Sequence, residues 1–196
     1  MARADRSAVT RATRRLATLV ATLALAGCDT LGRAEPVADA SAPVPLSASL
    51  LEATALARAL TAIESELGKE IAALELDVHP DRVVLQARDP HNEARVLQYV
   101  YRHDKLEPPR PVRLQGSGTL EDNLFPLSEA RIDRIPELVK RAVMAVDAKH
   151  GKPSHVLLRR NLPHEVDVRF RIYVTSPIRS GHVDATADGE LAAAAP

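Results

Sequence analysis

Cys28 is the one cysteine of this 196-residue chain, and it stands at the exit of an apolar run. The run, Leu16-Ala-Thr-Leu-Val-Ala-Thr-Leu-Ala-Leu-Ala-Gly27, follows five arginines (Arg3, Arg6, Arg11, Arg14, Arg15) and a single acid, Asp5. A basic start, an apolar centre of about a dozen residues and a small-residue exit are the parts of a secretory signal peptide. The run is too short to span a bilayer, which takes about 20 apolar residues. With a single thiol, no disulfide can form within the chain, so the fold must stand on its core alone. Seven histidines are the other residues with obvious chemistry. His79, His91 and His103 lie twelve apart, and His150 and His155 lie five apart. Metal sites on one element want closer pairs on a shared face, backed by carboxylates. These histidines fall in or beside turn-forming stretches, so the expectation is solvent-exposed histidine and no metal.

Nucleophiles and anion cradles are equally sparse. A serine hydrolase elbow needs Gly-x-Ser-x-Gly between a strand and a helix. Gly116-Ser117-Gly118 lies in a loop with neither beside it, and it also lacks the Lys-Ser/Thr that follows a phosphate-binding glycine loop. Glu165 and Asp167 alternate with apolar residues, as acids do on the wet face of a sheet. A pair of glycosidase carboxylates needs one desolvated acid across a cleft, which spacing alone does not show. Arg159, Arg160, Arg169 and Arg171 cluster around the clearest strand. They are the candidate contact residues for an acidic protein partner.

Composition narrows the classes further. The chain carries 26 basic and 26 acidic residues; without residues 1–27 the balance becomes 21 to 25, mildly acidic. Such a surface has no field for nucleic acid. Three tyrosines, two phenylalanines and no tryptophan offer no aromatic platform for bases. No cofactor motif is present. Residues 28–47 are rich in Ala, Pro and Asp without apolar periodicity and read as a semi-stiff tether.

The elements follow from periodicity. Leu56, Leu60, Ile63 and Leu67 mark a helix over 49–67, opened by a capping box of Ser49 and Glu52 and closed by Gly68. Leu74, Leu76 and Val78, then Val83, Leu85 and Ala87, then residues 96–101, predict three strands with His79-Pro80-Asp81 as the first turn. Prolines 108, 109 and 111 make 104–125 a connector. Pro136 opens a second helix carrying Leu138, Val139, Ala142, Val143 and Val146, with Gly151 as its terminator. Residues 156–158 then precede the strongest alternation in the chain, Val166, Val168, Phe170, Ile172 and Val174. Val183, Ala185 and Ala187 follow.

The two halves match in order. Gly68-Lys69 precedes Gly151-Lys152 by 83 residues, as Pro80 and Val83 precede Pro163 and Val166. This predicts an α+β fold of two tandem αβββ units forming antiparallel sheet, with helices packed on one face. The expected divisions are 1–27 signal peptide, 28–47 lipidated cysteine and tether, 48–106 first unit, 107–126 connector, 127–191 second unit and 192–196 disordered tail.

Two resemblances carry further expectations. Leu25-Ala-Gly-Cys28 resembles the lipobox of bacterial lipoproteins. That resemblance implies a diacylglycerol on Cys28, cleavage before it, acylation (palmitate) of the new amino group, and a lipid-anchored protein facing the periplasm. Asp29 resembles the inner-membrane retention signal of enteric lipoproteins; inner or outer membrane stays open. The αβββ order over 49–191, with Phe170 to Gly189 as strand, turn, strand and Asp-Gly hairpin, resembles the PepSY-like and beta-lactamase-inhibitor-protein-like group of secreted domains. That group implies a non-enzymatic role as inhibitor, chaperone or assembly factor of another exported protein. The disulfides of the inhibitor proteins are absent here. The alternative is an envelope hydrolase whose site assembles only in the fold.

Overall fold

The computed structural model describes residues 48–115, 118–162 and 166–192. Cys28 with its leader and tether, Gly116-Ser117, Pro163 to Glu165 and residues 193–196 lie outside the described residues. The first helix, α1, spans Ala53–Leu67 and buries Ala55, Leu56, Ala59 and Ile63. It starts later than the capping box requires. Glu52 is the N-cap and makes no side-chain cap, while Ser49 Oγ accepts from the Leu51 N–H at 3.3 Å. Leu50 and Leu51 are both buried, and the Leu50 N–H donates to Pro80 O at 2.9 Å. Anchoring that leucine pair holds the chain out of helical geometry until residue 53. Gly68 ends the helix at φ +85°, its N–H donating to Glu64 O, as a C-terminal glycine should.

Three antiparallel strands follow: β1 (Ala72–Val78), β2 (Arg82–Asp89) and β3 (Asn92–Arg102). In β2, alternation maps onto burial as the period of two demands, with Val83, Leu85 and Ala87 inside. In β1 it does not. A register shift between Ala73 and Glu75 puts Ala73, Leu76 and Val78 inside and leaves Leu74 half-exposed. One inserted residue flips everything before it, which is why Leu74 is not the core residue its spacing suggests.

The connector carries more structure than its prolines suggest. It holds the short strands β4 (Lys105–Leu106) and β5 (Arg110–Pro111), one turn of helix α2 (Leu120–Asn123) and β6 (Phe125–Pro126). Thr119 Oγ1 caps α2 by accepting from Asp122 N. Phe125 is 1% exposed and pairs across Ala73, so the connector supplies one of the two phenylalanines of the core.

The second long helix, α3 (Ile135–Asp147), has proline in its first turn and buries Ile135, Leu138, Val139, Ala142 and Val146. It ends before Gly151. The Asp147 carboxylate accepts from the N–H groups of Lys149 and His150, both at 3.1 Å. Gly151 is needed for closeness and not for conformation: a Cβ there would lie 2.4 Å from Asp147 O and 3.2 Å from Val174. Gly151→Ala is expected to cost about 1–3 kcal/mol, read as a lowered urea midpoint; no loss would show that the backbone gives way freely there.

The last meander is β7 (Lys152–Arg160), β8 (Val168–Thr175) and β9 (Gly181–Thr186). Val166 is 68% exposed and precedes β8, so the core face begins at Val168. The described strands form one nine-stranded antiparallel sheet whose main path runs β4-β3-β2-β1-β7-β8-β9, with β5 on β3 and β6 on β1. Both long helices share a single buried cluster with the sheet. The fold is α+β, mostly sheet. Residues 48–106 and 127–191 join through β1 and β7, where Leu76 pairs Leu158 and Val78 pairs Val156.

Candidate functional site

The side chains of β7, β8 and β9 that α3 does not cover are those of opposite parity to Val156, Phe170 and Val183. Register aligns them in rows. His155 pairs Tyr173, which pairs His182; Leu157 pairs Arg171, which pairs Asp184; Arg159 pairs Arg169, which pairs Thr186. On the other side, β1 sets Asp77 opposite Leu157, and the turn after β1 sets His79 at the head of the first row. The result is a ladder of four rings. His79 and His155 stack with centroids 5.0 Å apart, His155 and Tyr173 at 4.3 Å, and Tyr173 meets His182 at 5.8 Å in a tilted contact.

Two of the rings are held from the side. His79 Nε2 lies 2.8 Å from Asp77 Oδ2 and 3.3 Å from Arg82 Nη2. The shorter contact is the carboxylate, so Nε2 carries the proton and donates to Asp77. Ser154, raised in a bulge between Pro153 and His155, brings its Oγ 3.1 Å from His155 Nδ1. His155 is half-buried, and burial lowers its pKa below the ordinary histidine value; Asp77 opposes that shift, while His79 and Arg82 reinforce it.

The next row is fastened by a bidentate ion pair. Arg171 donates Nε and Nη2 to Asp184 Oδ1 and Oδ2 at 2.8 and 2.9 Å, which holds the Asp184 carboxyl below its usual range and raises the guanidinium further. Arg159 lies 3.8 Å from Glu75, whose pKa burial raises. Leu157, Arg159, Asn161, Arg169, Arg171 and Asp184 line a hollow of about 20 Å³, room for a single water molecule.

Three of the four sequence-selected arginines therefore share this face: Arg159, Arg169 and Arg171. Arg160 does not. It has the parity of the core residues, pairs Val168 across the ladder, donates Nε to Leu124 O at 3.0 Å and also bonds Val166 O. Its task is to fix the connector against β7. The histidine expectation also changes. His91, His103, His150 and His182 are exposed, but His79 is 18% exposed at its side chain and His155 is half-buried within a strand. Spacing in sequence missed the ladder because His79, His155, Tyr173 and His182 come from four segments joined only by register. The available signal was parity: His155, Tyr173 and His182 each alternate with core residues. Among the described residues, no three histidines, acids or cysteines are grouped to hold a metal, and no helix is long and apolar enough to cross a membrane.

The lowered His155 pKa has a sign that experiment can read. A histidine favoured in its neutral form binds fewer protons folded than unfolded, so its stabilisation is present above the unfolded value, about 6.5, and is lost as pH falls through the lower native one. The melting temperature of the wild type should fall from neutral pH towards pH about 5, and His155→Gln should flatten that part of the curve. A slope unchanged in the variant would move the effect to another group.

A scan against protein-family models gives no match, and a search of curated proteins gives none. A search of solved structures finds the fold. A candidate lipoprotein from Clostridium difficile 630 superposes with a TM-score of 0.51 at 9% identity, covering 74% of this chain and 96% of that one. At that identity the likeness is one of architecture: a three-dimensional arrangement shared over the sheet and its helices.

Proposed function

We propose that this chain is a lipid-anchored accessory module of the bacterial envelope that docks another exported protein on the uncovered face of its sheet. The anchor rests on the Leu25-Ala-Gly-Cys28 motif behind a short apolar run, and a structural neighbour described as a candidate lipoprotein accords with it. The duplicated order of helix and three strands, and a sheet order that is mirror-related about β1 and β7, support reading the fold as two tandem αβββ units. The observation that carries the docking role is the face itself. Its rows bring half-buried Leu157 and Tyr173 together with Arg159, Arg169 and Arg171, while both long helices pack into the cluster on the other side. An amphipathic, ring-bearing surface of this kind suits a protein partner.

The test is site-specific photo-crosslinking in the native envelope. A photoreactive residue at Thr186, on the docking face, should give a discrete adduct; the same residue at Lys140, exposed on α3, should not. Adducts of equal yield from both positions, or from Lys140 alone, would refute the docking face. A covalent serine-hydrolase probe that labels Ser154 would instead establish the hydrolase alternative.

A further inference from the structure

The ring ladder lies on a face whose fixed charges are largely paired. Arg82 pairs Asp81, Arg88 pairs Glu121, Arg102 pairs Glu107, Arg159 pairs Glu75, and Arg171 pairs Asp184. Asp77 is engaged by His79, and Arg169 stands in the row beside Arg159. Arg102 and Arg110 share Glu107, so at neutral pH the arginines of the face slightly outnumber its carboxylates. The acids nearest the ladder are Asp77, in contact with His79, and Asp184, clamped by Arg171, so protons on His79, His155 and His182 together leave the ladder with more positive than negative charge. We propose that the His79–His155–Tyr173–His182 ladder makes the docking face proton-sensitive, so that it takes up an extended acidic segment of its partner more tightly as the pH falls. This rests on the docking reading above and names both the chemistry of the partner segment and the regulation of the contact.

The geometry explains why the change is graded and local. His155 stands between His79 and Tyr173, so its imidazolium gains the Tyr173 ring face on one side and meets His79 on the other. Two imidazolium ions 5.0 Å apart repel, so charge on one ring of this pair opposes charge on the other. The groups that face them are named by element: Glu75 and Asp77 on β1, Asp81 in the turn, Arg82 on β2, Ser154 and Arg159 on β7, Arg169, Arg171 and Tyr173 on β8, and His182 and Asp184 on β9. Burial favours neutral His155, and an acidic segment laid along the ladder reverses that preference. By linkage the two effects are reciprocal: protons tighten the acidic ligand, and the ligand favours the protonated form of His155.

The experiment uses the protein from residue 28 onward in its acylated form, in detergent, with a hexa-aspartate peptide as probe. Calorimetry at pH about 7.5 and about 5.5 brackets the histidine range while the aspartates stay ionised. Affinity should rise about fivefold or more at the lower pH, and the imidazole NMR signal of His155 should titrate at higher pH with peptide present. His182→Gln, at the exposed end of the ladder, should remove part of the gain without touching the fold, and His79→Gln with His155→Gln should remove most of it. Equal affinity at the two pH values, or a full gain retained in the histidine variants, overturns the inference. Crosslinking from Thr186 together with pH-independent peptide binding would sink this inference and leave the docking role standing. The converse result would sink the docking role and leave only a proton-sensitive site for acidic peptides.

Discussion

Phe170→Ala should remove about 3–5 kcal/mol of stability, the usual cost of emptying a fully buried aromatic site. Phe170 is 0% exposed at the middle of β8, pairs Leu158 on one side and Ala185 on the other, and faces α3. With two phenylalanines and no tryptophan in the chain, the core has few large side chains able to close over the gap. A domain of this size holds about 5–15 kcal/mol in all, so the loss is a large share of the total and should show as a clearly lowered melting temperature. Val168→Asp, two residues earlier on the same face and 1% exposed, should be strongly destabilised, because its carboxylate would sit in the apolar cluster facing only Arg160, which is already bonded to Leu124 O. Urea unfolding followed by circular dichroism measures both. Lys140→Ala, exposed on α3, is the control and should stay within about 0.5 kcal/mol. A Phe170→Ala cost as small as that of the control would mean that the wrong side of β8 has been taken as the core.

Cys28→Ala should abolish incorporation of labelled palmitate and leave a precursor that still carries residues 1–27. The physical basis is one of length: about a dozen residues, even if fully helical, would reach only roughly 18 Å, against a hydrocarbon core of about 30 Å. Under the proposed lipid anchor, stable attachment would come from acyl chains, at about 0.8 kcal/mol per buried CH₂. Whole-protein mass spectrometry of the envelope fraction reads out both effects. A mature Cys28→Ala protein of normal mass, or a wild type with a bare thiol at position 28, would refute the lipid anchor.

Where one periodicity decided an outcome, the chain could be read directly. Leu56 and Ile63 on α1, Leu138 and Val146 on α3, and the alternation from Val168 to Val174 on β8 all landed on the buried side. Hydrophobic burial ties each residue to its own helical or extended repeat, so neighbours in sequence suffice. The α+β class and the order of the helices and main strands follow from the same rule. So does the turn at His79-Pro80-Asp81, where the His79 N–H closes on Arg82 O at 2.8 Å.

What only the tertiary structure decided depends on events that a local pattern does not encode. The bulge in β1 displaced Leu74 from the core, because one unpaired residue inverts a period of two. Val166 was left outside, since pairing with β7 ends where Val168 meets Arg160. Arg160, one residue from Arg159, went to the opposite side of the sheet for the same reason of parity. Phe125, in a segment with no period at all, became core by pairing beside Ala73. The ring ladder is the extreme case: 103 residues separate His79 from His182, and only the antiparallel registers of β1, β7, β8 and β9 put them in one row. A chain fixes locally which side chains seek burial; which polar groups then become neighbours is set by strand register, a property of the whole sheet.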